Sequence, residues 1–253
     1  MRYVIELVYK GTAYAGWQLQ PNAVSVQEAL DRALGVVLRH PVFTLGAGRT
    51  DAGVHASQMF AHFDTEADIP QDFVYRTNAI LPQDIAVKEV YIPEKQDFNA
   101  RFDAVRRSYI YRISRLKDPF IQEISILDTS DYHMDAMQEA AGIIMRYTDF
   151  AAFCKTGGNQ KTTLCTMYKS EWHLRPDLWE YHVSANRFLR GMVRAIVGSL
   201  LMVGKGQMSV AGFEAMIRSG DRRLAGPNVG AKGLTLTEVA YPEGMLKKWE
   251  PAG

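Results

Sequence analysis

The fold predicted for this chain follows from two neighbouring stretches, YVIELVY at residues 3–9 and SVQEALDRALGVVL at residues 25–38. The first is apolar and β-branched and ends at Lys10-Gly11, which predicts a strand. In the second, Ser25 and Glu28 form a capping box, and the apolar residues behind them recur at helical spacing. The chain therefore opens with a strand followed by an amphipathic helix.

The elements that follow repeat one order twice. Strand-like runs at 43–49 and 59–63, a helical pattern from about 70 to 81 and a strand at 85–92 complete a β-α-β-β-α-β half. The second half has strands at 107–114, 167–174, 179–185 and 234–241, and helices near 134–145, 187–203 and 210–218. We predict an α+β protein of two ferredoxin-like halves, 1–104 and 105–253. They would form one extended, mainly antiparallel sheet with helices on one face and a catalytic cleft on the other.

Composition narrows the class of protein. The 253 residues are 47% hydrophobic and 23% charged, as in a globular protein, and contain no apolar run long enough to span a membrane. The N-terminus does not have the pattern of a signal peptide. Cys154 and Cys165 have no metal-binding spacing, so we expect reduced thiols, no metal and a cytoplasmic location. The net charge is only +1, but residues 101–117 are basic and 118–139 acidic, a pattern commoner in solvated surfaces than in nucleic-acid grooves.

The glycine-rich stretch GAGRTDAGVHA at residues 46–56 is the most unusual in the chain. It lacks the lysine of a phosphate-binding loop, and no helix pattern opens here. Two interpretations remain: a turn that Asp51 caps through its own backbone, or a rigidly held carboxylate that performs covalent chemistry. If the segment is extended, Arg49 lies on the same side as Asp51, where a guanidinium would keep the carboxylate ionised.

Arginines and tyrosines mark a second candidate region. On the predicted long helix, Arg194 lies at the margin of an apolar face, where it would either need an anion or extend to solvent. On the predicted strand at 107–114, Tyr109 and Tyr111 share a face beside Arg107. They are core tyrosines or a platform on which an extruded base stacks. The basic loop at 155–161 is either a hairpin loop or a segment that closes on RNA.

Several ordered motifs resemble the TruA-type tRNA pseudouridine synthases over nearly the whole chain. Residues 46–56 resemble that family's signature loop, and residues 9–18 with 25–30 its N-terminal region. Residues 98–111 resemble its central region, and 186–198 its C-terminal catalytic segment. The chain departs from the family's usual residues at Lys10, Cys165, Arg190-Gly191 and 227–232, positions that concern tRNA contacts rather than the chemistry.

The resemblance implies a reaction and roles. Asp51 would be the catalytic nucleophile, Arg194 its basic partner, Tyr109 the ring that stacks on the target uracil, and Arg49 a residue that helps to displace the base. The family isomerises uridines 38, 39 and 40 in the anticodon arm of tRNA, without cofactor or metal, as a homodimer. Four further residues are expected to contact RNA: Arg107, Lys161, Arg187 and Arg190.

The sequence leaves two alternatives to this function open. A non-catalytic RNA-binding protein of the same architecture explains the basic and aromatic strand, but it leaves an acid in a rigid glycine loop unexplained, since a carboxylate near phosphates opposes binding. A small-molecule metabolic enzyme predicts a cofactor fingerprint that the sequence does not contain. Release of tritium from uridine labelled at C5 would separate catalysis from binding.

Overall fold

A computed structural model describes residues 1–155 and 161–250 of the chain. These residues form two compact units, one made of Met1–Val105 with Leu236–Gly253 and the other of Arg106–Thr235. Both units combine strands with helices, so the predicted mixed α+β class is confirmed. The ferredoxin-like character of each half and their union in a single sheet stay predictions.

The first unit has the predicted β-α-β-β-α-β order. Its elements are β1 (Arg2–Tyr9), α1 (Val26–Leu38), β2 (Leu45–Gly46), β3 (His55–Asp64), α2 (Phe73–Ile80) and β4 (Ile85–Pro93). Strand β1 pairs antiparallel with both β3 and β4, and β2 pairs with β3. Ser25 caps α1, because its side chain accepts a hydrogen bond from the Glu28 amide at 3.1 Å, as the capping box predicts.

The second unit has a three-stranded antiparallel core covered by helices. Its elements are β5 (Arg106–Ser114), β6 (Ile126–Leu127), α3 (Met134–Ile144), β7 (Met167–Leu174), β8 (Leu178–Ala185), α4 (Met192–Gly204) and α5 (Val210–Ser219). Strand β8 lies between β5 and β7. Helix α3 packs on β7, where the Ser170 hydroxyl donates to the Ala141 carbonyl at 2.7 Å. The segment 195–200 of α4 is buried, as its apolar sequence predicts.

The structure corrects the start of the long helix. The sequence suggested a helix from about residue 187, but α4 begins at Met192, so Arg187 and Arg190 lie before it. Gly191 caps the helix and has φ +71°, a left-handed conformation. A right-handed helix cannot pass through a residue in this conformation, so the helix begins after Gly191. The predicted helix bounds of 187–203, which would place Arg187 and Arg190 in the same helix as Arg194, are therefore wrong at the start.

The C-terminal residues also differ from the expected boundary. Strand β9 (Leu234–Ala240) begins in the second unit, but residues 236–253 belong to the first. The short strand β10 (Leu246–Lys248), which the sequence did not predict, pairs antiparallel with β4, and Tyr241 donates to the Ala100 carbonyl at 2.7 Å. Strand pairing and this hydrogen bond therefore hold residues 241–248 on the first unit rather than on the half next to them in sequence.

Candidate active site

The loop that carries Asp51 is fastened to the segment that follows β1. Thr50 is buried, and its carbonyl accepts a hydrogen bond from the Trp17 amide at 3.2 Å. Its hydroxyl lies 2.9 Å from the hydroxyl of Tyr9. On the other side of Asp51, the Val54 amide donates back to the Asp51 carbonyl at 3.1 Å, which closes a turn. The backbone of Asp51 is thus fixed from both directions.

Two glycines outside the loop allow this close approach. A Cβ on Gly11 would lie 1.9 Å from the carbonyl oxygen of Val54, and one on Gly16 would lie 2.4 Å from that of Thr50. Gly16 also has φ +97°, a conformation that side chains disfavour. The Gly11 amide donates to Nδ1 of His55 at 3.1 Å, so His55 holds the far end of the loop. The sequence indicated Gly11 only as the end of the first strand and Gly16 only as part of a resemblance, and it did not predict this close approach.

Asp51 is half-buried, whereas Arg49 is exposed. The Arg49 side chain forms no hydrogen bond or ion pair with any residue that the structure describes, so no ion pair joins it to Asp51. The strand predicted at 43–49 is limited to Leu45–Gly46, because the chain bends from residue 47 onward. The assumption that alternate residues share a face therefore does not apply between Arg49 and Asp51.

In the second unit, the two tyrosines of β5 have different environments. Tyr111 is fully buried, and its hydroxyl donates to the Gly230 carbonyl at 3.0 Å. Burial raises the pKa of Tyr111, and the nearby charge of Arg194 opposes that shift. Tyr109 is only half-buried, and its ring meets the Phe188 ring edge to face with centroids 5.2 Å apart. Tyr111 is therefore a core residue, and Tyr109 is a fixed ring near the surface.

Arg194 lies in the first turn of α4 and is half-buried. Its Nε donates to the Val229 carbonyl at 2.7 Å, and the Val229 amide lies 3.3 Å from the Arg194 carbonyl. The neighbouring carbonyl, that of Gly230, accepts from Tyr111. A segment with no regular secondary structure therefore orients both the guanidinium and the core tyrosine. Sequence reasoning missed Val229 because a backbone carbonyl leaves no trace in side-chain identity.

This supporting segment lies directly against α4. A Cβ on Gly198 would stand 1.9 Å from the Pro227 carbonyl oxygen, and the Gly226 amide donates to the Ser199 hydroxyl at 2.8 Å. Pro227 lies within the stretch that departs from the family's usual sequence. The contact with Gly198 shows that the stretch nevertheless packs closely on the helix that presents Arg194.

The other predicted RNA contacts are basic residues of the second unit. Arg107 donates from Nη1 to the Asn186 carbonyl at 2.8 Å, and the Arg190 carbonyl accepts from the Lys155 amide at 3.4 Å. Arg187 is half-buried, whereas Arg190 and Lys161 are exposed. The remainder of the predicted basic loop, residues 156–160, lies outside the described residues.

Two cysteines share the surroundings of Arg187. Burial raises the pKa of the Cys165 thiol to about 11, and the charge of Arg187 partly opposes this shift. Burial raises the pKa of the Cys154 thiol as well. Neither cysteine is part of a disulfide, as the sequence predicts. A raised pKa lowers the fraction of thiolate, which is the reactive form, in both residues.

Within residues 1–155 and 161–250, no cluster of three or more histidine, cysteine, aspartate or glutamate side chains is arranged to hold a metal ion. None of the helices in these ranges has the length and apolar character needed to cross a bilayer.

The chain is similar to proteins of one enzyme class, the tRNA pseudouridine synthases. The family model for tRNA pseudouridine synthases matches residues 147–242. A tRNA pseudouridine synthase A from Porphyromonas gingivalis is 42% identical over 250 residues, which cover 97% of this chain and 99% of that protein. The namesakes from Bacteroides fragilis and Chloroflexus aurantiacus are 44% and 40% identical, again over 97% of this chain and over 98% and 91% of theirs. The chain therefore belongs to the tRNA pseudouridine synthase A family.

Proposed function

We propose that this chain isomerises uridine to pseudouridine at positions 38, 39 and 40 of the tRNA anticodon stem-loop, with Asp51 as the catalytic carboxylate. Its membership of the tRNA pseudouridine synthase A family supports the broader statement, that it is an isomerase acting on uridine in tRNA. The fixed backbone of Asp51 is the observation that carries the assignment of the nucleophile. The predicted homodimer, the single extended sheet and the cytoplasmic location belong to the same proposal.

The reaction breaks the bond from N1 of uracil to C1′ and makes a bond from C5 to C1′. The proton on C5 leaves, and N1 gains one, so the reaction needs no redox partner or group donor. A base inside a stem is out of reach, so the nucleotide turns out of the helix at a cost of a few kcal/mol. The enzyme then has to supply an oriented carboxylate and a surface for the extruded base.

Asp51 is suited to the first task. A carboxylate acts as a nucleophile when it is ionised and held in one orientation. The hydrogen bonds at Thr50 and at Val54 hold the backbone on both sides of Asp51, and half-burial limits its exposure to water. A turn whose aspartate served only as a cap would not need two glycines from another segment to bring the backbones together.

Tyr109 and Arg194 are suited to the other tasks. Contact with Phe188 restricts the orientation of the Tyr109 ring, and an aromatic ring offers a stacking surface to any base. The bond from Nε of Arg194 to Val229 uses one of the five donors of a guanidinium and fixes its plane. We propose that Arg194 pairs with Asp51 in the active enzyme. Arg49 would help to displace the base. Four further residues would contact the RNA: Arg107, Lys161, Arg187 and Arg190.

The decisive experiment replaces Asp51 with Asn and measures tritium release from tRNA labelled at C5 of uridine. We expect the rate to fall by at least about 10³-fold, because loss of a nucleophile removes the covalent step. Affinity for tRNA should stay within severalfold. Asp68→Asn, which changes an exposed carboxylate of the same unit, is the matched control and should behave as wild type. Turnover near wild type in Asp51→Asn would refute the role of Asp51, and tRNA binding without any release by the wild type would favour a non-catalytic RNA-binding protein.

The positions are tested separately. Three anticodon-arm substrates that each keep a single uridine, at 38, 39 or 40, should all be modified by the wild-type protein. Modification restricted to uridines elsewhere in tRNA would contradict the proposed site while leaving the isomerase activity intact.

A further inference from the structure

Two polar residues of α1, Gln27 and Asp31, lie one helical turn apart and therefore on the same side of the helix. Both are half-buried, and neither takes part in the chemistry described above. Half-buried polar side chains need hydrogen-bond partners, so the identity of those partners shows what the side chains do.

Gln27 joins two segments that are distant in sequence. Its Nε2 donates to the Thr44 carbonyl at 2.7 Å, and its Oε1 accepts from the Leu19 amide at 3.0 Å. The orientation of the side-chain amide is fixed, because a carbonyl only accepts and a backbone amide only donates. The backbone amide of Gln27 also donates a hydrogen bond, to the Trp17 carbonyl at 3.0 Å.

Asp31 holds the same threonine from another direction. Its Oδ1 accepts from the Thr44 amide at 3.0 Å and from the Thr44 hydroxyl at 2.6 Å. Thr44 is buried and immediately precedes β2. Burial raises the pKa of Asp31 to about 6, and the two hydrogen bonds from Thr44 oppose this shift. Three hydrogen bonds from one face of α1 therefore fix the residue at which the chain enters the Asp51 loop.

Trp17 makes a second connection to the Asp51 loop. The Trp17 amide donates to the Thr50 carbonyl, and its buried indole lies so close to Gly46 that a Cβ there would be 2.5 Å from the ring. The Gln27 side chain thus connects Thr44, before the loop, with Leu19, two residues after the tryptophan on which the loop rests.

We propose that Gln27 and Asp31 are positioning residues that set the orientation of the Asp51 carboxylate through Thr44 and, for Gln27, through the segment 17–19. The inference rests on the proposed role of Asp51 as the nucleophile. Neither residue needs to touch the substrate, because both act on the backbone that presents Asp51. A displacement of about 1 Å at a reacting group is enough to slow a reaction by about 10²-fold.

The test uses Gln27→Ala and Asp31→Ala in the full chain, with single-turnover kinetics on tRNA labelled at C5 of uridine. We expect the rate constant to fall by about 10- to 100-fold while tRNA affinity stays within about threefold. The amplitude gives the folded, active fraction, so a loss of folded protein lowers the amplitude and not the rate constant. Arg32→Ala, at an exposed neighbouring position of α1, is the control and should leave the rate constant unchanged.

Conservative variants separate the effect of losing the hydrogen bonds from the effect of losing side-chain volume. Asp31→Asn keeps an Oδ1 acceptor for Thr44 and should restore the rate constant to within about threefold of wild type. Thr44→Val removes the hydroxyl donor but keeps the amide, and it should be slowed less than Asp31→Ala. This variant also tests the proposal if Asp31→Ala does not fold. Wild-type rate constants in Gln27→Ala and Thr44→Val, or equal loss in Asp31→Asn and Asp31→Ala, would overturn the proposal.

Hydrogen exchange measured by mass spectrometry provides a readout besides activity. Faster exchange in the peptide spanning 44–56 is expected in Gln27→Ala and Asp31→Ala, with exchange in β4 unchanged. Faster exchange together with an unchanged rate constant would refute the catalytic part of the proposal. A wild-type protein that makes no pseudouridine would instead refute the proposed function, and the exchange data would still show whether Gln27 and Asp31 hold the loop.

Discussion

Gly16→Ala is the substitution whose effect follows most directly from the structure. Gly16 has φ +97°, a conformation that costs an alanine about 1–2 kcal/mol. The new Cβ would also lie 2.4 Å from the Thr50 carbonyl oxygen, well inside contact distance, and the obstacle is backbone. The Thr50 carbonyl must move by several tenths of an ångström, which weakens its hydrogen bond from Trp17 by about 1 kcal/mol. The expected total loss in the free energy of unfolding is about 2–3 kcal/mol.

Urea unfolding followed by circular dichroism measures that loss, and single-turnover tritium release measures its consequence for Asp51. The rate constant should fall by about 10²-fold if the loop shifts by about 1 Å. Gly48→Ala is the matched control for stability, because it lies in the loop itself, has no positive φ and would place its Cβ at least 4 Å from any neighbouring atom. A Gly16→Ala protein within about 0.5 kcal/mol of wild type, and as active, would show that the loop is not held as described.

Two further predictions concern stability. Tyr111→Phe should destabilise the protein by about 1 kcal/mol in urea unfolding, because the Gly230 carbonyl loses its donor; no loss relative to Tyr168→Phe, at an exposed position, would count against this. Asp31 has a folded-state pKa of about 6, above its unfolded value, so the native state binds the extra proton and wild-type stability falls as pH rises from about 4 to 6. The stability of wild type minus that of Asp31→Asn should therefore be lower at pH 7 than at pH 4 by about 1–3 kcal/mol, a range that allows for solvent screening at this half-buried site. A difference in stability that does not change with pH would contradict the raised pKa of Asp31.

Much of the local structure could be predicted from the sequence. Apolar periodicity located α1, β4 and the strand pair β7 and β8 to within a few residues, because burying one face of an element imposes its period on the chain. The capping box at Ser25 was also predicted correctly, because it depends only on residues three apart in the sequence. The start of α4 was wrong, because whether Gly191 continues a helix or ends it depends on its backbone conformation.

Residue identities were sufficient to predict the family, the order of elements in the first half and the acid in the glycine loop. Each is a property of residues close together in the chain or of ordered motifs along it. Three other features became visible in the folded protein: Gly11 and Gly16 support Asp51, the Val229 carbonyl orients Arg194, and the strand that begins at Leu246 pairs within the first unit. These depend on backbone atoms brought together from distant parts of the chain, and a backbone carbonyl is the same chemical group in every residue.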